Sequence, residues 1–504
     1  MGGRTTLASM LSYWLYYVAL ILIAFVVSPI LVHGLGAEGY GLWTLLVSIT
    51  GYLAVLDLGV NAAVVRLVSM HMARGETGQV RAVYSTSFAV SAVLGALGLF
   101  AVLGIGLLFL DLFPVEVLSP GQARVLFLVV GIDLAVGLLF SVFLGALTGL
   151  QQFVKVNVLS TAVAVLRSVL LVALLLRGHG IVTVALVHLV ANVLKYAAQY
   201  ALIRRGFAFL RFARSDCTRA ALGRILGYSA YGFLIAVALK VLAHTDAFII
   251  GRFVSVAEVT FYAVPAGIVD HVEKLVLAGI AVLIPLISSR DAVGDVHRNR
   301  SLYVQGTKVT LLSVLPVLFA LFTVGDDFLR LWMGVEFEAR STTVLRILVC
   351  GYLIALPQLV AHGILKGTSN HRGLATVLCA QAALNVGLSL ILVREHGIEG
   401  VSLGTAVPLW LSNLVLIPVA TCRLLAIPYL EYLRRSHLAP LLILVGLSGL
   451  AWLVPVAPES YAQLVLYAAV VVVLVAGAGW LFAADRETRA RLWSTALRVA
   501  GRRG

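Results

Sequence analysis

Apolar runs of about 20 residues, each long enough to cross a bilayer as a helix, recur along the whole chain between short polar breaks. Inside the runs the apolar residues are continuous, which excludes the alternation expected of barrel strands. In lipid the backbone polar groups must pair within the element, so continuous runs predict helices. Spans are expected near 8–33, 40–64, 82–110, 122–147, 153–176, 180–203, 224–251, 257–288, 303–325, 340–365, 373–394, 398–421, 436–456 and 460–484. The expected fold class is an all-α membrane protein of about 14 transmembrane helices.

Composition strengthens this reading. Of 504 residues, 61% are hydrophobic and 12% charged, against about 25% charged in a soluble domain. The first run, Leu11 to Val32, is too long for a signal-peptide core and lacks a clear small-residue cleavage site, so a retained first helix is expected. Cysteines 217, 350, 379 and 422 form no CxxC pair. Neither a disulfide framework nor a zinc site is suggested.

The formal net charge of +14 would point to nucleic acid in a soluble chain. Here 26 of the 37 basic residues fall in alternate loops. These hold Arg4; Arg66, Arg74 and Arg81; Lys155; six arginines from Arg204 to Arg224; Arg290, Arg298, Arg300 and Lys308; Lys366 and Arg372; Arg423, Arg434 and Arg435; and six arginines after Asp485. By the positive-inside rule both termini are expected to be cytoplasmic, and nucleic acid is not an expected partner. The longest basic loop, 204–223, divides the chain, and is expected to be a solvated tether. The expected organisation is an N-terminal lobe of six helices (1–203), that loop, a C-terminal lobe (224–421), two further helices (422–484) and a basic tail (485–504). The tail, with Leu492, Trp493 and Leu497 among its arginines, reads as an amphipathic helix on anionic membrane lipids. Weak internal similarity agrees with a duplication: Ala37-Glu38 with Tyr40, and Ala257-Glu258 with Tyr262, stand 220 residues apart.

Polar residues inside the spans need an explanation, since a charge at bilayer depth costs about 2.5–3.5 kcal/mol on insertion scales. Asn157, Ser160, Ala164 and Arg167 share a face of span five, as do His188, Asn192, Lys195 and Gln199 in span six. Span seven carries Lys240 and His244, span eight Asp270, Glu273 and Lys274, and span ten Gln358, His362 and Lys366. Polar stripes on several helices fit a shared aqueous cavity better than isolated helix–helix contacts. The substrate-binding candidates are Arg167, Lys195, Lys240, Asn157, Asn192, Gln199, His244 and Lys274. The coupling or hinge candidates are Asp57, Asp246, Asp270 and Glu273. Plainer readings stand beside these. Lys195 and Lys240 have stems long enough to snorkel. Asp270 and Lys274 are spaced for a local pair. Asp57 precedes Gly59 and Asn61, where a helix loosens, and Asp246 has Lys240 and Arg252 within reach along its helix. The histidines are more often packing residues than proton carriers. No Gly-rich phosphate loop, nucleophile constellation or metal-ligand spacing stands out.

Leu35-Gly36-Ala37-Glu38-Gly39-Tyr40-Gly41-Leu42-Trp43, followed by Leu56-Asp57-Leu58-Gly59-Val60, resembles the first hairpin of the polysaccharide-biosynthesis flippases. These are the Wzx-type O-antigen and exopolysaccharide transporters of the MOP exporter superfamily. Thr245-Asp246-Ala247-Phe248-Ile249-Ile250-Gly251-Arg252-Phe253 with Tyr262, and Asp327-Phe328-Leu329-Arg330-Leu331-Trp332-Met333-Gly334, resemble later stretches of the same family in the same order. Ala247 stands where the family often has Arg, and Val254-Ser255 where it often has Leu-Gly, which puts an ion pair of that Arg in doubt. The resemblance implies two six-helix lobes in a V around a central cavity, plus two C-terminal helices. It implies an inner-membrane transporter of a bacterium or archaeon, not an enzyme. Its substrate would be a polyprenyl-pyrophosphate-linked glycan, moved from the cytoplasmic to the outer leaflet. No cofactor is expected; coupling is expected to the membrane potential or to an ion gradient, with a proton or sodium ion as candidate partner, and polysaccharide assembly proteins are further candidate partners. The alternatives are a peptidoglycan-precursor flippase, a MATE-like ion-coupled exporter and, a distant fourth, a membrane-embedded glycosyltransferase or polymerase. The basic excess inside the spans argues against a cation exporter.

Overall fold

The computed structural model describes residues 3–226, 230–280, 287, 296–368 and 370–483. The tail 485–504, read above as an interfacial helix, lies outside the described residues, as does Arg290. Among the described residues there is no strand. The helices are α1 (Gly3–Leu53), α2 (Val60–Ala73), α3 (Thr77–Leu112), α4 (Pro120–Gly149), α5 (Phe153–Leu175), α6 (Ile181–Gly206), α7 (Arg219–Leu226), α8 (Ala230–Phe253) and α9 (Val256–Ile280). They continue as α10 (Val296–Thr323), α11 (Gly325–Met333), α12 (Val335–Gly367), α13 (His371–Trp410), α14 (Ile417–Leu424), α15 (Tyr429–Ser436), α16 (Leu438–Leu453) and α17 (Tyr461–Ala478).

Among the described residues, ten helical stretches are long and apolar enough to cross a membrane, or eleven if the bent pair α15–α16 is one span. The tally differs from the expected fourteen partly because two stretches hold two helices each. Ser12–Asp57 has 46 residues and His371–Leu424 has 54, about twice what one crossing requires. Gly36 (φ 73°, ψ 170°) interrupts the first and Gly397 (φ 52°, ψ −132°) the second. A side chain would be strained at either φ, so glycine lets one helix follow another with no loop between. Outward-facing side chains such as Leu107, Leu176, Val473 and Trp452 are large, apolar and mostly exposed. That surface suits hydrocarbon, not water.

The chain forms two compact units. Unit 1 comprises Met1–Gly267 and Leu378–Thr405. One core cluster joins α2, α3 and α4 through Val60, Val64, Tyr84, Phe143 and Leu147. A second cluster packs Leu35 and Trp43 of α1 on Leu171 and Leu175 of α5 and Val184 and Val187 of α6. The two internally similar stretches touch each other here. Thr260 Oγ1 donates to the Ala37 carbonyl at 2.5 Å, and Gly41 lies against the carbonyl of Val256.

The basic loop, expected to be a solvated tether, carries mostly exposed arginines and is also strapped to α2 and α3. Arg81 holds Asp216 through two hydrogen bonds of 3.0 and 3.1 Å. The Thr218 amide donates to Thr86 Oγ1 at 3.1 Å. Arg224 donates to Gln79 Oε1 at 3.0 Å and to His71 Nε2 at 3.2 Å. Arginine only donates, so His71 must carry its hydrogen on Nδ1, which meets Glu76 Oε2 at 2.5 Å. The loop's own polar groups thus find partners on α2 and α3, and this fixes it.

Unit 2 comprises Ile268–Val377 and Ala406–Gly504. Leu315 and Phe319 of α10, Ile443 and Leu447 of α16, and Val471 and Val475 of α17 form one of its apolar clusters. The short helix α15 is anchored by Tyr432, whose ring stacks on Tyr303 at 4.5 Å and 7°. Gln358 accepts from the Tyr303 hydroxyl at 3.2 Å and donates to the Tyr432 hydroxyl at 2.8 Å. At α11, Arg330 pairs with Asp327 at 2.6 Å, and Arg346 of α12 with Asp326 at 3.0 Å.

Candidate functional site

Three charged side chains stand near the middle of three packed helices of unit 1. Asp133 is 13 residues into α4, Arg167 is 14 into α5 and Lys195 is 14 into α6. Each is therefore roughly 20 Å from the start of its helix; Arg167 and Lys195 stand nearer the other end, 8 residues from Leu175 and 11 from Gly206. Helices α4 and α5 each contact α6. Asn192 joins the charges. Its Nδ2 donates to Asp133 Oδ1 at 2.8 Å, and its Oδ1 accepts from Lys195 Nζ at 3.0 Å. The Lys195 ammonium also lies 4.6 Å from the Tyr196 ring centre, a favourable cation–π position. Arg167 acts electrostatically on Asp133, Lys195 and Tyr16. His188, one turn from Asn192, packs against Trp43 of α1 with ring centres 4.7 Å apart. All of these charges are half-buried. Two basic side chains thus face one carboxylate.

The other stripe residues divide. Asn157 is spent on a helix-to-helix hydrogen bond, donating to Ser12 of α1 at 3.0 Å. Gln199 is buried in helix packing with its Oε1 unpartnered. Lys240 is half-buried on α8 and makes no ion pair among the described residues. One turn on, His244 packs on Tyr52, with ring centres 5.9 Å apart. Asp270 and Lys274 form the local pair at 2.5 Å that their spacing allows. These two, with Glu273, belong to unit 2. His362 is half-buried in unit 2, with its Nε2 unpartnered.

Asp57 lies where the second span breaks. The α-helix ends at Leu53, tightens to a 3-10 turn over Ala54–Asp57, and restarts at Val60. Leu58 and Gly59 have φ of 49° and 77°, and the strain at Leu58 costs on the order of 1–3 kcal/mol. Asp57 holds the break together. It accepts from the Asn61 amide at 3.2 Å and from Ser141 of α4 at 3.4 Å.

Asp246 is not neutralised by Lys240 or Arg252, the cations within reach along its helix. It is buried and held by hydroxyls instead. Thr405 donates to it at 2.8 Å, and Tyr262 donates to the same oxygen. Asn385 in turn donates to Thr405 Oγ1 at 2.9 Å. The reason is geometric. The bend at Gly397 returns α13 upon itself, so that Asn385 and Thr405 face each other. Asp246 Oδ1, Asn385 Oδ1 and Ser389 Oγ are buried with no hydrogen-bond partner among the described residues.

Sequence reading missed Asp133, Thr405, Asn385, Ser389 and Tyr16. The signal for Asp133 was present: it is a lone carboxylate in an apolar span, and each such charge demands a partner.

Residues 6–290, more than half of the chain, match the profile of the polysaccharide biosynthesis protein family. The chain belongs to this family. Another similar protein is a presumed O-antigen transporter of Shigella flexneri, 20% identical over 77% of this chain and 90% of its own. An uncharacterized membrane protein, EpsK of Bacillus subtilis, is 23% identical over 79% of each chain. Among solved structures, an inward-facing MATE-family multidrug-resistance transporter of the MOP superfamily superposes with a TM-score of 0.70 at 16% identity, over 82% of this chain and 94% of its own. The lipid II flippase MurJ in an inward closed conformation superposes with a TM-score of 0.66 at 13% identity, over 94% and 97%. This polysaccharide biosynthesis protein therefore has the MATE/MurJ-type fold: all-α, multi-pass and membrane-embedded.

Proposed function

We propose that this chain carries a polyprenyl-pyrophosphate-linked oligosaccharide from the cytoplasmic to the outer leaflet of a bacterial or archaeal inner membrane by alternating access. The carrying observation is the excess of basic side chains at mid-helix depth, where Arg167 and Lys195 face Asp133 in a family devoted to polysaccharide assembly. A pyrophosphate head cannot cross hydrocarbon unaided. Cations already paid for by the fold lower that barrier. The polyprenyl tail stays in the bilayer while the head passes.

The same proposal fixes the topology. Splitting the two long stretches at Gly36 and Gly397 adds two crossings, the bent pair α15–α16 adds a third, and α9 a fourth, to reach fourteen. Both termini are then cytoplasmic, on the side rich in arginine. The lobes rock about the axis of the internal duplication, with the break at Asp57 as a hinge. Asp246, with its unpartnered oxygen beside those of Asn385 and Ser389, is the seat of the coupling ion, a proton or a sodium ion.

A peptidoglycan-precursor flippase is the second reading, favoured by the 94% coverage of this chain by the lipid II flippase fold. The test replaces Arg167 or Lys195 with Ala in a strain that depends on the chain. Loss of surface polysaccharide at normal expression, with the lipid-linked precursor held on the cytoplasmic side, is the expected result. Unchanged polysaccharide in both variants would overturn the proposal; loss of viability with precursor of the cell wall accumulating would favour the second reading.

A further inference from the structure

Asp133 is the one acidic member of the mid-helix cluster, and its placement is peculiar for a site that takes an anion. It makes no ion pair within 4 Å with Arg167 or Lys195 among the described residues. Asn192 stands between it and Lys195, with one amide hydrogen bond to each. The carboxylate is therefore close enough to compensate both cations, yet it is kept from closing on either. A direct buried pair would be hard to open once formed, because each ion released alone would have to be desolvated unpaired. An amide bridge holds the same three charges at lower mutual attraction, and in its bond from Lys195 a new acceptor oxygen can take the place of Asn192 Oδ1, while its amide nitrogen stays with Asp133.

Resting on the flippase reading above, we infer that Asp133 is an exchangeable counter-ion: it occupies the cations of the empty site, yields them to the phosphoryl oxygens of the arriving head, and repels that head again at release. In the empty state the carboxylate makes two cations tolerable at bilayer depth. When the pyrophosphate arrives, its oxygens take over Lys195 and Arg167. Lys195 Nζ then leaves Asn192 Oδ1, and Asn192 turns with Asp133. The loaded site now holds like charges, phosphoryl oxygens and carboxylate, near one another. That repulsion keeps binding from becoming a trap. It acts where transport needs it, since a carrier that binds its cargo too tightly cannot let go. Asn192 is a positioning residue in this scheme, and Asp133 sets the balance between capture and release.

The test uses the full chain in nanodiscs, with inorganic pyrophosphate as the probe, and in proteoliposomes with a fluorescent polyprenyl-pyrophosphate-linked sugar. Asp133→Asn removes the repulsion and keeps the shape and the hydrogen bond. Its affinity for pyrophosphate is expected to rise at least tenfold, while translocation falls by a similar factor with an unchanged or lower half-saturating substrate concentration. Asp133→Glu is expected to restore wild-type behaviour in part. A structural role alone would lower binding and translocation together, without the opposed signs. Equal or weaker pyrophosphate binding by Asp133→Asn, at wild-type thermal midpoint, would overturn the inference and leave the flippase reading intact. Absence of pyrophosphate binding in the wild type would instead count against the flippase reading. Should Asp133→Asn fail to fold, Asn192→Ser decides the matter. Removing the bridge lets Asp133 pair with Lys195 directly, so pyrophosphate affinity is expected to fall at least tenfold, and an unchanged affinity would refute the exchange.

Discussion

Gly41→Ala tests the contact between the two similar stretches. A Cβ at Gly41 would lie 1.9 Å from the Val256 carbonyl oxygen, 3.0 Å from its carbon and 3.2 Å from Thr260 Oγ1. The nearest of these is backbone and has no rotamer by which to withdraw. Ordinary contact begins near 3.4 Å, so the α9 start must retreat by about 1.5 Å. The same movement stretches the 2.5 Å hydrogen bond from Thr260 to Ala37 past the useful range. Overpacking of this kind costs about 1–3 kcal/mol and a lost hydrogen bond about 1 kcal/mol. The expected destabilisation is therefore about 2–4 kcal/mol. Gly104→Ala is the control: it lies within α3, and a Cβ there meets nothing within 4 Å. Its expected effect is a gain of roughly 0.5–1 kcal/mol from helix propensity. Unfolding of both variants in graded mixed micelles of SDS, followed by tryptophan fluorescence, reads the difference. A Gly41→Ala protein as stable as the Gly104→Ala protein would refute the reasoning.

Three further outcomes are expected. Arg224→Ala removes two hydrogen bonds from the strap, so its opening free energy falls by about 1–2 kcal/mol and tryptic cleavage at Arg211, Arg214 and Arg219 quickens roughly 5- to 30-fold; an unchanged rate in limited proteolysis would show the strap to be held otherwise. Tyr262→Phe deprives Asp246 of a donor and is expected to cost about 1.5–3 kcal/mol in the same unfolding assay, the range for bonds to a charged acceptor; a loss under about 0.5 kcal/mol would remove Tyr262 from that cage. Tyr432→Ala loses a fully buried ring and is expected to cost about 3–5 kcal/mol, whereas Tyr432→Phe keeps the stack on Tyr303 and costs about 1–3 kcal/mol through the stranded Gln358. Equal stability of the two variants would mean that the ring itself contributes nothing.

The helical, multi-pass class was legible because hydrocarbon imposes one rule on every residue of a span. The polar face of α6 was legible too, since Asn192 and Lys195 lie one turn apart, and the structure joins them by a hydrogen bond. So was the loosening of the chain after Asp57, where a carboxylate, a glycine and an asparagine fall within five residues. Asp133 escaped the same logic. It has Val129 and Gly137 one turn away on either side, so no stripe marks it, and its partner lies on another helix. Asp246 was misassigned to the cations near it along its helix for a related reason. Its actual partner Thr405 is 159 residues away and arrives only because Gly397 turns α13 back. Periodicity reports one helix at a time, whereas a site is made where helices meet. The strap was missed differently: the loop's arginines are mostly exposed, as a solvated run would be, but nothing in the linear order ties Arg81 to Asp216.

The break between Leu53 and Val60 has an electrical consequence. Where a helix stops, its last carbonyls and the next helix's first amides lose their internal partners, and lipid tails supply none. The Asp57 carboxylate satisfies one of those amides, and the Leu58 amide turns back to the Val55 carbonyl; any group left over would have to be served by water. A wet notch there, within the bilayer, would thin the insulator beside it. The membrane voltage then drops across fewer ångströms, and the roughly 2.3 kcal/mol per charge per 100 mV is compressed into a steeper field over the dry remainder. A cargo charge crossing beside α2 would meet most of that voltage in one short step.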